Sequence, residues 1–246
     1  MKVPVIPLKY RCRSSQEDRL ACNSGLTLIE GLIAILVVSA VTTAITPMMF
    51  LSVATRVQNR RAEQAMQLAH GQIDEVRVLV ERGISTQQDL EQLPSEAGDL
   101  DAQEVEAPTG ASNQKFSTNS SCPGFSGVTL GQIGPDEAFP VDVNGNCEID
   151  FFVQAFRTRQ SIFRYNDIDI PIIFEMGVRV YYRNADFDQL ETEAASLVMT
   201  TGEGQQTTRP LATLYTVMAQ GDTPLSLNSY RCFINSNVVG CNDDEN

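Results

Sequence analysis

The chain has 246 residues, enough for one or two domains, and its 42% hydrophobic and 20% charged residues are typical of a globular protein. Its 18 basic and 31 acidic residues give a formal net charge of −13. That balance argues against nucleic-acid binding, which requires a basic surface, and it suits a soluble surface or a cationic partner.

Residues 1–25 form a polar, basic segment that ends at a glycine. Its basic residues are Lys2, Lys9, Arg11, Arg13 and Arg19. Basic residues before an apolar run favour a cytoplasmic N-terminus, although three arginines just after the run make the asymmetry modest. Without this segment the chain would keep 13 of its 18 basic and 29 of its 31 acidic residues, a net charge of −16.

An uncharged and largely apolar run extends from Gly31 to Thr55. As a helix with a rise of about 1.5 Å per residue it would be roughly 38 Å long, more than the hydrocarbon core of a bilayer. The run therefore predicts a membrane-spanning helix. Glu30 lies at its apolar start, where a carboxylate is costly and indicates function. The alternative is an interfacial glutamate at the membrane edge.

The sequence Gly25-Leu26-Thr27-Leu28-Ile29-Glu30, between the basic segment and the apolar run, resembles the prepilin peptidase site of type IV pilins and type II secretion pseudopilins. The resemblance implies a leader over 1–25, cleaved between Gly25 and Leu26, and an assembly role for Glu30. Leu26 departs from the usual phenylalanine. Because the apolar run follows the cleavage site, the mature chain would keep it, unlike a chain with an ordinary secretory signal. Pro47 lies where many pilins have a helix-kinking proline.

The resemblance also divides the predicted helix into a transmembrane half, residues 26–55, and an amphipathic half, residues 56–83. The apolar stripe of the second half recurs at spacings of four and three residues. It consists of Ala62, Met66, Ala69, Ile73, Val76 and Val80. Gly83 is expected to end the helix. The one histidine, His70, lies beside the stripe and is interpreted as a helix-surface residue and not as a ligand.

Two stretches of this helix, residues 52–65 and 76–83, resemble more particularly the cyanobacterial pseudopilins linked to hormogonium polysaccharide secretion. The resemblance as a whole covers about residues 24–83. It implies a single-pass protein of the inner (cytoplasmic) membrane with a cytoplasmic N-terminus and an extracytoplasmic head. The implied partners are other pilins or pseudopilins, the prepilin peptidase and the inner-membrane assembly platform.

Residues 84–246 are expected to form the β-rich head. A short helix is predicted over 87–93, then a long loop over 95–146 that is rich in Ser, Gly, Pro and acidic residues, with a partly ordered insertion over 95–140 as the alternative. Strand patterns follow at 149–155, 174–182, 195–201 and 211–219, with a turn at 166–167. The predicted fold is α+β and pilin-like, a long N-terminal helix with a C-terminal antiparallel sheet of about four strands.

Six cysteines are present, and two of them, Cys12 and Cys22, lie in the leader. The other four allow three pairings. We favour Cys122–Cys147 and Cys232–Cys241, because pairs close in sequence close small loops. Disulfides would place the head outside the cytoplasm, whereas free buried cysteines are the alternative. The absence of a Cys-x-x-Cys pair and the single histidine argue against a zinc site.

One loop has oxygen-bearing side chains at every second position: Asp142, Asn144, Asn146 and Glu148. Calcium takes six to eight oxygen ligands, so the loop is a candidate calcium site, although its glycine is misplaced for an EF-hand. The alternative is an Asn-Gly turn that leads into a strand. No other cofactor is expected.

No catalytic arrangement is evident in the sequence. The lone histidine lies in the predicted helix, away from any serine or cysteine of the head, and there is no phosphate-binding loop motif. Two function classes remain, neither of them an enzyme. One is a pilin or pseudopilin built into an envelope-spanning filament for secretion or motility. The other is a membrane-anchored extracytoplasmic binding module. Gly25 and Glu30 favour the filament subunit, because a plain anchor needs neither.

Overall fold

The computed structural model describes residues 27–165, 168–196 and 205–221, together with Arg231, Phe233 and Ile234. In chain order the elements are α1 (Leu28–Arg82), α2 (Gln87–Gln92), β1 (Gly110–Ala111), β2 (Phe116–Ser117), a 3-10 turn (Leu130–Gln132), β3 (Glu137–Asp142), β4 (Phe151–Tyr165), β5 (Ile168–Tyr182) and β6 (Ala212–Ala219). A long N-terminal helix followed by a β-sheet confirms the α+β class. The chain separates into two units, Met1–Ser52 and Val53–Asn246.

The first unit contains the apolar part of α1. Its large apolar side chains from Leu28 to Phe50 are exposed. Four hydroxyl groups in this part donate hydrogen bonds to backbone carbonyls three or four residues earlier; they belong to Ser39, Thr42, Thr43 and Thr46. These bonds satisfy the hydroxyls without water, as an apolar solvent requires. Among the described residues, α1 is the one helix long and apolar enough to cross a membrane.

The second unit contains a sheet of six strands within the described residues, in the order β1-β3-β4-β5-β6 with β2 also beside β3. The four strands β3 to β6 pair antiparallel, whereas β1 and β2 pair parallel with the two ends of β3. The sheet is therefore mixed, which corrects the expectation of a wholly antiparallel sheet. β6 confirms the strand predicted at 211–219. Of the strand predicted at 195–201, residues 195 and 196 are not in a strand, and the rest lies outside the described residues.

The prediction of a loop over 95–146 was wrong, because this segment contributes three strands and a 3-10 turn. β3 was not predicted because it contains Pro140, and a proline argues against a central strand. In the structure β3 pairs with β1 at Glu137 and Ala138 and with β2 at Val141 and Asp142. Pro140 lies in the interval between these partners, where its missing N–H costs no pairing on that side.

The amphipathic half of α1 packs on one face of the sheet. Its buried residues are Ala65, Ala69, Ile73, Val76 and Val80, which join a core with Phe151, Val153, Met176, Val178 and Val180 of the strands. Met66, expected in the stripe, is 38% exposed, and Ala65 is buried in its place. The buried residues begin with two steps of four, from Ala65 to Ala69 and from Ala69 to Ile73. An α-helix has 3.6 residues per turn, so its buried stripe does not keep the 3.5-residue average of alternating steps of four and three.

The other face of the sheet is also buried at the centre of β5. Period-two alternation is typical of a strand with one solvated face, yet Gly177, Arg179 and Tyr181 of β5 are all inaccessible on the side away from the helix core. A Cβ atom at Gly177 would overlap the ring of Phe156, so glycine is required there for the two strands to pack. The segment predicted as a loop covers this face, with Ala102 and Val105 packed against Phe156.

Candidate functional site

The N-terminal motif is described from Thr27 onward, so Gly25 and Leu26 lie outside the described residues. Glu30 lies in the first turn of α1 and is exposed. Its backbone N–H donates to the carbonyl of Thr27 at 3.0 Å and to the Thr27 hydroxyl at 3.3 Å. Thr27 therefore caps the helix, and the Glu30 carboxylate lies near the positive end of the helix dipole, where negative charge is favoured.

Pro47 lies inside α1. Because proline has no N–H, the carbonyl of Thr43 loses its helical donor. The neighbouring hydroxyls of Thr43 and Thr46 donate elsewhere, to carbonyls one turn before each of them. The kink expected at Pro47 stays a prediction.

Cys122 and Cys147 are joined by a disulfide, with Cα atoms 5.3 Å apart, as the sequence predicted. The bond links the segment after β2 to the loop between β3 and β4. The second predicted pair, Cys232 and Cys241, lies outside the described residues.

Asp142, at the end of β3, is the centre of the disulfide-linked region. Its side chain is inaccessible and is contacted by Ser117 of β2 and by the loop that follows it in the chain. One carboxylate oxygen accepts from the Gly145 N–H at 2.8 Å. The other accepts from the Ser117 hydroxyl at 2.7 Å and from the Cys147 N–H at 2.8 Å. Burial alone would raise the pKa of Asp142, but these donors outweigh it and hold the pKa below its usual value.

The same bonds hold an unfavourable backbone conformation. Cys147 has φ +66°, a left-handed conformation that costs a non-glycine residue about 1–2 kcal/mol. Gly145, with φ +74°, is the residue type that adopts this region without such a cost. The bonds to Asp142 and the disulfide together fix Cys147 in place.

Two of the remaining candidate calcium ligands, Asn144 and Asn146, accept hydrogen bonds within the loop. The Asn144 side-chain oxygen accepts from the Asn146 N–H at 3.0 Å, and the Asn146 side-chain oxygen accepts from the Glu148 N–H at 2.9 Å. Asp150, which was not among the predicted ligands, accepts from the N–H groups of Val143 and Asn144. Such hydrogen bonds within the loop are expected for the alternative interpretation, in which the segment is a turn that leads into a strand. The calcium site stays a prediction.

A group formed by Cys122, Asp142 and Cys147 has ligand-type atoms within 4.8 Å of one another. The two sulfur atoms are bonded to each other, so neither is a thiolate that could bind a metal. His70 is exposed on α1, in agreement with its interpretation as a surface residue.

Sequence reasoning missed a cluster around Arg179 on the sheet face opposite the helix core. The guanidinium is inaccessible and lies 5.0 Å from the ring centre of Phe156. Its N–H groups donate to the Tyr215 hydroxyl at 2.9 Å, the Gln154 side-chain oxygen at 3.3 Å and three backbone carbonyls, those of Ala102, Gln103 and Glu106. The signal that could have revealed it is an arginine in the middle of a strongly alternating strand.

Tyr181, two residues further along β5, is also inaccessible. Its hydroxyl donates to the Glu191 carbonyl at 3.2 Å. Burial raises the pKa of this hydroxyl well above its usual value, so it stays protonated and keeps the bond. Arg179 and Tyr181 thus attach two separate loop segments to the same strand.

An open cleft of about 650 Å³ lies between these two segments, residues 104–109 and 187–193. Its carboxylates are those of Glu104, Glu106, Asp188, Glu191 and Glu193. Arg209 forms ion pairs with two of them, at 2.6 Å to Glu191 and 3.4 Å to Glu193. The cleft is therefore acidic and only partly neutralised.

No family model matches the chain, and neither a curated protein nor a solved structure matches it.

Proposed function

We propose that the chain is a pilin-like assembly subunit, a minor pilin or pseudopilin of an envelope-spanning filament that drives secretion or motility. The observation that carries the proposal is α1. It begins at Leu28, two residues after the proposed new N-terminus at Leu26. Its first part exposes apolar side chains, and its later part packs on a sheet. Such a helix suits a subunit held first in a membrane and then in a helical bundle.

The proposed membrane orientation puts the N-terminus in the cytoplasm and the head outside it. The Cys122–Cys147 disulfide supports an extracytoplasmic head, because disulfides persist in oxidising compartments. The resemblance of residues 52–65 and 76–83 favours a machine that secretes polysaccharide. The proposed partners are other pilins or pseudopilins, the prepilin peptidase and the inner-membrane assembly platform.

Glu30 would set the register of assembly. After cleavage Leu26 carries a positive amine, and Glu30 follows four residues later, at a similar membrane depth. Each charge is costly in lipid and tolerable when paired, so the glutamate of one subunit would bind the N-terminal amine of its neighbour. Removing one partner leaves the other unpaired. No catalysis is involved in this role.

The first test is the N-terminus of the mature protein. In cells with an active prepilin peptidase, mass spectrometry of membrane-extracted protein should find Leu26 as the first residue, with or without N-methylation. Gly25→Leu should block this cleavage, and Ser24→Ala is the matched control that should leave it intact. An intact leader on the unaltered protein would refute the proposed processing.

The second test is Glu30→Leu. The change removes a costly charge from the apolar segment, so cleaved protein should accumulate in the membrane, while filament incorporation and secretion should fall at least tenfold. Incorporation is measured by cross-linking to partner pilins in sheared filament fractions. Glu63→Leu, at an exposed position of the amphipathic half of α1, is the control and should assemble normally. Normal assembly of Glu30→Leu would show that Glu30 is only an interfacial carboxylate.

The acidic cleft favours a second candidate function, a membrane-anchored extracytoplasmic binding module. A cleft of this size could accept a cationic group between its two loop segments. The two functions differ in their requirements. A binding module would work with any membrane anchor, so replacing residues 26–55 with an unrelated spanning helix would preserve its activity and would abolish that of a filament subunit.

A further inference from the structure

Three arginines follow the apolar run on α1, and the structure divides them by role. Arg61 is directed to the head: its guanidinium lies 4.5 Å from the ring centre of Tyr182 and donates to the Gln206 side chain at 3.5 Å. Arg56 and Arg60 are exposed. Within the described part of the chain, neither has a carboxylate within ion-pair distance.

Several other arginines of the chain do form such ion pairs. Elsewhere on α1, Arg77 forms an ion pair with Asp74 at 2.7 Å, and Arg82 forms one with Asp89 at 3.3 Å. Other described arginines, such as Arg164, are paired in the same way. The nearest acidic residue along the helix is Glu63, and its carboxylate does not reach Arg60.

The two arginines share a helix face with two exposed valines. Val53, Arg56, Val57 and Arg60 are spaced by three, one and three residues, so all four lie on one side of α1. Val53 is 63% exposed and Val57 41% exposed. Apolar and basic side chains that alternate along one helix face are typical of a helix at a membrane interface, where the valines enter the acyl boundary and the arginines reach the headgroups.

Orientation in the membrane does not explain these charges. In the proposed topology they lie on the translocated side, where basic residues oppose the positive-inside tendency. In the proposed topology, their exposed position just after the apolar run places them within reach of lipid headgroups. A guanidinium pairs with phosphate oxygens through two parallel hydrogen bonds and is weakly hydrated, which suits a phosphate at a wet interface.

We propose that Arg56 and Arg60 bind the phosphate groups of anionic phospholipids in the leaflet at the C-terminal end of the apolar run. The inference rests on the proposed membrane insertion of the chain. The pair holds the subunit at a fixed depth until it leaves the membrane.

The test uses the full chain reconstituted in phosphatidylcholine bilayers that contain a trace of spin-labelled phosphatidylglycerol or spin-labelled phosphatidylcholine. Electron spin resonance gives the preference of the protein for the anionic lipid over the zwitterionic one. A basic residue at a membrane surface strengthens anionic-lipid binding by about fivefold, so the double variant Arg56→Gln/Arg60→Gln should lose at least that factor. All variants share the same N-terminal segment, so its basic residues do not affect the comparison.

The matched control is Arg77→Gln/Arg82→Gln, which removes the same charge from the same helix at two ion-paired positions. It should leave the lipid preference unchanged, and Arg56→Lys/Arg60→Lys should retain most of it. An unchanged preference in Arg56→Gln/Arg60→Gln, or an equal loss in the control, overturns the proposal while the membrane role stands. A chain that does not insert into the bilayers overturns both.

Discussion

At the scale of single residues, Asp142 has the largest number of structural roles in the disulfide-linked region. It accepts hydrogen bonds from the strand segment before Cys122, from the turn glycine and from Cys147 itself. The carboxylate therefore holds the segments on both sides of the disulfide in position through hydrogen bonds, in addition to the covalent bond. Since these bonds need an acceptor with two charged oxygens, asparagine cannot replace them all.

We predict that Asp142→Asn lowers the free energy of unfolding by about 1–3 kcal/mol at neutral pH, because the amide places a donor against N–H and O–H donors. The folded pKa of Asp142 is below its unfolded value, so its contribution is fully present above the unfolded pKa and is lost as pH falls through the folded pKa. The difference between the two proteins should thus stay constant from pH 7 to about pH 5 and shrink below about pH 4.

Circular dichroism of the detergent-solubilised full chain during chemical denaturation measures this difference. Asp99→Asn, at an exposed position, is the matched control and should cost less than about 0.5 kcal/mol. A stability difference that does not change between pH 7 and pH 3 would contradict the assigned role of the carboxylate.

Arg179 shows why side-chain roles on a sheet are hard to predict. The alternation of β5 predicted its strand correctly, and Arg179 occupies the phase expected for a polar face. What cannot be read from the pattern is that residues 102–106, far away in sequence, supply three carbonyl acceptors and cover the guanidinium. Long-range hydrogen bonding of an irregular segment has no local sequence signal.

At the scale of elements, periodicity predicted α1, β4, β5 and β6, although the described residues of the strand predicted at 195–201 are not in a strand. The helix is signalled by an uncharged run followed by apolar residues in helical spacing. The pair β4 and β5 is signalled by alternation on both sides of the turn predicted at 166–167, which lies outside the described residues. β3 was missed because Pro140 interrupts a short strand, and β1 and β2 have two residues each, too few for any period. Of the site residues, the Cys122–Cys147 pair was predicted from closeness in sequence, whereas the buried face of β5 was not.

The loop from Asp142 to Asp150 offers a test at the same scale. If it binds calcium, millimolar CaCl₂ should raise the melting temperature of the full chain in detergent, and equal MgCl₂ should raise it less. Glu148→Gln removes one proposed ligand while its backbone N–H keeps the bond to Asn146, so this variant should lose the calcium effect without losing basal stability. No shift in the unaltered chain would leave the loop as a set of turns.

At the scale of the whole molecule, charge and position agree with the proposed role. In the proposed topology, the acidic head would stay soluble on one side of the membrane while the apolar helix remains in lipid. The chain has two charged surfaces: Arg56 and Arg60 lie on α1, and the acidic cleft lies between residues 104–109 and 187–193. Variants at one surface should therefore leave the other unaffected.

The position of β5 affects how the sheet unfolds. β5 is hydrogen-bonded to β4 and β6 on its two sides and is covered on both faces, so no small fluctuation exposes its amides. In amide hydrogen exchange of the full chain, the amides of Val178 and Val180 should exchange only with global unfolding, whereas those of β1, β2 and α2 should exchange through local opening. A substitution in β1 should therefore leave the amide protection of β5 unchanged. Gly177→Ala should reduce the amide protection throughout the sheet.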